Sequence, residues 1–121
     1  MTKKDETQSF LPLTPAMFHI LLALADGEKH GYAILKEVAR RTGDRVRLSA
    51  GTLYGNLSRL EGAGLIAESS RRPEIALDDE RRRYYRLTEF GRGVAVAEAE
   101  RMEEAVVQAR AKKLFRKPRL A

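Results

Sequence analysis

The sequence predicts a mainly α-helical fold carrying one small β-hairpin. Three observations predict it. Thr14-Pro15, Ser49 and Thr88 each stand as a cap in front of an apolar-periodic run. Leu53, Leu57 and Leu60 recur at helical spacing. Two short extended runs, residues 65–70 and 82–87, flank a polar stretch with Pro73, as in a hairpin with a long tip.

Residues 1–10 read as a flexible, solvated arm, with Phe10 and Leu11 as docking points. A first helix starts after Thr14, where Pro15 supplies a fitting φ and lacks an N–H that would be orphaned anyway. Residues 16–25 are apolar nearly all round, so this helix belongs at the centre. Asp26-Gly27 stops it. A second helix spans about 31–41, with Ala33, Ile34, Leu35 and Val38 inward and Lys36, Arg40 and Arg41 outward. Residues 45–48 alternate polar and apolar and read as a very short strand. The third helix follows Ser49 and closes at Gly62-Ala63-Gly64. After the hairpin, Thr88 caps a long last helix reaching about Phe115, with Pro118 ending the pattern. Helix, helix, short strand, helix, hairpin, long helix is the winged helix-turn-helix order, whose third helix can enter a DNA major groove. The expected domains are the arm 1–10, a DNA-binding domain 11–87, a C-terminal dimerisation helix 88–115 and a basic tail 116–121.

The 121 residues fit one domain, and 43% hydrophobic against 33% charged residues is a globular balance. The absence of cysteine excludes a disulfide scaffold, Cys-ligated zinc, iron–sulfur sites and thiol catalysis. No apolar run reaches the ~18 residues of a membrane span, and the N-terminus leads into no signal-peptide core, so a cytoplasmic protein is expected. The net charge of +6 misleads, because residues 110–121 carry six cations and no acid, leaving the rest neutral. The neutral part segregates its charge: residues 29–47 hold six cations against two acids, and residues 98–104 hold four Glu and one Arg.

Candidate function sits first on the third helix. Thr52, Asn56 and Arg59 read as an outward flank, and Gly51, Gly55, Ser58 and Gly62 as the face opposite the leucines. Asn and Arg suit adenine and guanine edges, and Thr suits base or phosphate; the bland reading is a solvated helix face. Gly55 costs about 1 kcal/mol relative to alanine, a cost that reflects close approach to a groove, or else drift or a local kink. Tyr54 either donates to a phosphate or packs on the second helix. Lys36 joins the outward cations there. In the hairpin, Arg71, Arg72, Arg81, Arg82 and Arg83 form a possible DNA-contacting wing, or a solvated loop paired with Glu74, Asp78, Asp79 and Glu80. Tyr84 and Tyr85 alternate faces, so at least one belongs to the core. Asp78-Asp79-Glu80 lacks the fixed oxygens a hard cation needs, so no metal is expected. His19 reads as a buried, satisfied histidine and His30 as a residue that positions a turn. With no nucleophile–base pair visible, neither catalysis nor a cofactor is expected. Val94, Ala95, Ala99, Met102, Val106 and Ala109 recur along the last helix and make a candidate twofold dimer interface; folding back on its own domain is the alternative.

Several separate segments resemble the PadR-like transcriptional regulators: residues 13–21, His30-Gly31-Tyr32-Ala33-Ile34, Ser49-Ala50-Gly51-Thr52-Leu53-Tyr54, residues 60–66, and Arg83-Tyr84-Tyr85-Arg86-Leu87-Thr88 with Gly91. The resemblance covers about residues 11–95. It implies a bacterial repressor that dimerises through its C-terminal helix, binds an inverted-repeat operator and responds to a phenolic acid, drug or other small molecule. It further implies DNA contacts by Ser49, Thr52 and Tyr54 and a phosphate or turn role for Tyr32. Two departures stand out. Gly55 replaces a proline often present in the family, and the chain has no Trp to build an aromatic drug site. The rival reading is a winged-helix protein–protein interaction module that does not bind DNA.

Overall fold

Helices begin where the sequence supplies side-chain oxygens for the first unpaired N–H groups. In a computed structural model describing residues 3–69 and 83–116, the order is α1 (Lys3–Ser9), α2 (Pro15–Leu24), β1 (Lys29–His30), α3 (Gly31–Arg41), α4 (Ala50–Gly62), β2 (Ile66–Glu68), β3 (Tyr84–Leu87) and α5 (Glu89–Ala111). Thr14 Oγ1 accepts from Met17 N, Ser49 Oγ from Thr52 N and Thr88 Oγ1 from Gly91 N, at 3.1, 3.1 and 2.9 Å.

Helix α2 is the hub. It packs against α3, α4, α5 and β3, and Ile20 and Leu21 are fully buried. Ile34 and Val38 of α3, the leucines of α4, Leu65, Ile66, Tyr85 and Val94 complete the core. Burying each large aliphatic side chain contributes about 1.5–3 kcal/mol. The sheet order is β1-β3-β2, all antiparallel, with Ile66 opposite Leu87 and Lys29 opposite Tyr85. Mostly helical, with a small three-stranded sheet behind α4, this is the winged helix-turn-helix arrangement, followed by a C-terminal helix.

Four features differ from expectation. Within the arm 1–10, Lys3–Ser9 is a helix that packs on α5, and Phe10 meets Phe90 edge-on at 5.7 Å. So short a helix gains its stability from docking rather than from propensity. Residues 45–48 form no strand. Their alternation is real, since Val46 and Leu48 pack on the core, but Thr42 Oγ1, bonded to Val46 N at 3.0 Å, holds them in a turn. The third strand is instead β1, on the outer edge of β3. Finally, α5 stops at Ala111 rather than near Phe115. Lys113 adopts φ +62°, and Leu114 N bonds Ala109 O at 2.9 Å, a left-handed stop made without glycine.

Candidate nucleic-acid interface

Helix α4 is anchored by its leucines and bare on its outer side. Leu53, Leu57 and Leu60 are buried, and α4 packs on α2 and α3. Ser49 Oγ donates to Thr52 Oγ1 at 2.9 Å, so two exposed hydroxyls stand together on the first turn. Cβ atoms placed on Gly51, Gly55 or Gly62 would meet nothing within 4 Å. The fold itself therefore gives no reason for glycine at Gly55. Arg59 is exposed in the last turn. Hydroxyls on the first turn, a shallow glycine track interrupted by Ser58 and a guanidinium in the last turn make a low-relief surface with hydrogen-bond donors at both ends and at Ser58.

Asn56 does not belong to that surface. It is 7% exposed, and its Nδ2 donates to Thr52 O at 2.9 Å. At about 100° per residue, position 56 lies only about 40° from Leu60, so the helical spacing itself signals an inward residue. Tyr54 is half-buried; a Cβ on Gly31 would stand 2.9 Å from its phenolic oxygen. Its ring thus packs over the first turn of α3. Tyr32, by contrast, is 57% exposed, and Lys36 Nζ stands 4.7 Å above its ring centre.

At the base of the wing, exposed Arg83 places Nε 3.9 Å from Glu68 Oε1. Arg71, Arg72, Arg81 and Arg82, with the acids Glu74, Asp78, Asp79 and Glu80, lie outside the described residues. Tyr85 is buried, and burial pushes its phenol up. His30 caps α3: its Nδ1 accepts from Ala33 N at 3.1 Å, and its ring stands edge-on to Tyr84 at 5.5 Å. Histidine is an uncommon cap, which is why only a turn role was legible. His19 Nδ1 is buried without a hydrogen-bond partner among the described residues, against the expected satisfied histidine.

A profile of the transcriptional regulator PadR-like family matches residues 20–97. The chain belongs to that family. It is 38% identical over 86 residues to the transcriptional regulator Rv3488 of Mycobacterium tuberculosis, covering 71% of this chain and 74% of the relative. It is also 41% identical over 88 residues to an uncharacterized 37.1 kDa protein in transposon TN4556 of Streptomyces fradiae, where 72% of this chain spans only 23% of the relative. Among solved structures it resembles a transcriptional regulator from Clostridium thermocellum, Cth-833, at TM-score 0.61 and 26% identity, covering 93% of this chain and 99% of the other. It also resembles RosR of H. salinarum at TM-score 0.56 and 26% identity, covering 85% and 98%.

In this PadR-like regulator the residues named for self-association divide. Val94 is fully buried within its own protomer and is unavailable to a second copy. Ala95, Met102 and Ala109 are half-buried, and Ala99 and Val106 are exposed. Val96 and Val107, missed from the sequence, are 51% and 57% exposed. Glu98, counted among the acids of residues 98–104, is 1% exposed and accepts from Leu13 N at 2.6 Å and from Arg101 Nε. Its signal was its place four residues after Val94, on the inward stripe. No described helix is long and apolar enough to cross a membrane.

Proposed function

We propose that the chain is a homodimeric, sequence-specific DNA-binding repressor of an inverted-repeat operator, released by a small-molecule effector. The leucine-anchored α4, presenting the Ser49 and Thr52 hydroxyls, the open glycine face and Arg59, is the observation that carries this reading. Ser49, Thr52 and Arg59 face the major groove, with Tyr32, Lys36, Tyr54 and Arg83 as flanking contacts and Arg71, Arg72 and Arg82 reaching from the wing. Two copies of α4 lie about 34 Å apart, or a multiple of it. An effector acts only through unequal affinity for the competent and incompetent spacings.

A gel shift on the DNA upstream of its own gene, at two salt concentrations and with random competitor, tests the reading. Retention of that DNA against competitor, falling steeply as salt rises, is the expected result. Equal binding to both DNAs, or none, defeats it and leaves the protein-interaction reading. Gly55→Ala separates stability from binding. It should raise α4 stability by about 1 kcal/mol and weaken operator binding about tenfold if the groove comes close. Unchanged binding would mean the glycine has no role at the groove. For assembly, Met102→Glu with Val106→Glu should give monomers in sedimentation, since buried like charges oppose association. An intact dimer would place the contact elsewhere.

A further inference from the structure

Helix α4 ends in a tightly hydrogen-bonded turn. Gly64 takes φ +81°, Gly64 N bonds Glu61 O at 3.0 Å and Leu65 N bonds Leu60 O at 2.9 Å. The first turn of α5 fastens directly onto it. Thr88 N donates to Leu65 O at 3.1 Å. The Thr88 hydroxyl proton lies within reach of Gly64 O at 2.7 Å and Leu65 O at 3.0 Å, while the same oxygen caps Gly91 N. Gly91 approaches so closely that a Cβ there would lie 1.9 Å from Leu65 O. The two helix ends, joined in sequence only through the wing, thus share one hydrogen-bonded block.

We infer that Thr88 is a positioning residue that sets the angle between α4 and α5, and with it the half-site spacing that two copies accept. Helix α2 touches both helices, but apolar contact is non-directional, and the β2–β3 ladder, which pairs Ile66 with Leu87, orients the strands; the Thr88 hydroxyl adds directional hydrogen bonds at the first turn of α5 itself. The DNA consequence rests on the proposed function; the angle itself does not.

Because the chain has no cysteine, Ser58→Cys and Glu100→Cys place a pair of spin labels on the exposed faces of α4 and α5. Labelled chains are diluted with unlabelled protein so that only distances within one protomer are read. Thr88→Ser keeps donor and cap. Thr88→Asp keeps the cap on Gly91 N but has no proton to donate. Thr88→Ala is the second variant, without added charge. The distance distribution should stay narrow in the parent and in Thr88→Ser, and broaden about twofold in the other two. Without labels, the parent and Thr88→Ser should prefer the natural operator over one lengthened by a base pair by at least about tenfold, and the other variants by about threefold or less. Unchanged distributions in folded Thr88→Asp or Thr88→Ala overturn the proposal. So does unfolding of both, which would make the joint a stability element. A parent with no operator preference defeats the DNA-binding reading and leaves the distance result to decide this one.

Discussion

Gly91→Ala should unfold the chain or cost it about 3 kcal/mol or more, placing it in the tail of point-mutant effects. The new methyl would sit 1.9 Å from Leu65 O, a backbone atom that cannot swing aside, and 2.7 Å from the carbonyl carbon. Leu65 O is held there by Thr88 N and by the Thr88 hydroxyl, so relief means breaking the joint between α4 and α5. Gly93, two residues on and exposed with nothing within 4 Å, is the control. Gly93→Ala should stabilise by about 0.5–1 kcal/mol through helix propensity alone. Urea unfolding of both variants checks the pair. Equal midpoints would mean that α5 can shift freely against Leu65.

Arg101→Ala should lower the thermal midpoint at neutral pH, because it strips the buried Glu98 of its charged partner. The Arg101 guanidinium beside Glu98 holds its carboxyl below the usual range, outweighing the burial that pushes it up, and Leu13 N adds to the lowering. A carboxyl depressed in the folded state stabilises fully above the unfolded value of about 4.3 and loses that contribution as pH falls through the folded one. The parent should therefore weaken progressively below about pH 4. Glu98→Gln, which ionises in neither state, should show a shallower loss. Asp26, beside Lys29, is lowered too, but it is exposed and adds little. Thermal midpoints from pH 7 to pH 3 decide the matter; parallel curves for parent and Glu98→Gln would show that other carboxylates govern acid sensitivity.

What the sequence made legible were features with a local cause. Thr14, Ser49 and Thr88 cap because a hydroxyl answers an N–H three residues on, and the leucines of α4 turn inward by period alone. Helix α1 and strand β1 escaped because their causes are distant: α5 for the helix, the open edge of β3 for the strand. Alternation at residues 45–48 reported burial correctly and pairing wrongly, since a strand needs a neighbour as well as a pattern. At the candidate nucleic-acid interface Thr52 and Arg59 are exposed while Asn56 turns inward, and on the expected dimer face Val94 turns inward as well. The packing of the Tyr54 ring on α3 has a distant cause too, since Gly31 beneath it belongs to another helix.

The excess of cations over residues 29–47 shrinks when the ion pairs are followed. Lys29 is bound to Asp26 at 2.6 Å and faces Glu37 at 3.6 Å; Arg41 holds the other oxygen of Glu37 at 3.1 Å. Arg47 lies 3.9 Å from Asp44. Lys36, Arg40 and Arg45 face no carboxylate among the described residues. A cation paired with a carboxylate must give up that partner before it can displace condensed counterions from a polyanion. In the proposed operator complex, this stretch should therefore release fewer ions than its lysines and arginines suggest when simply tallied.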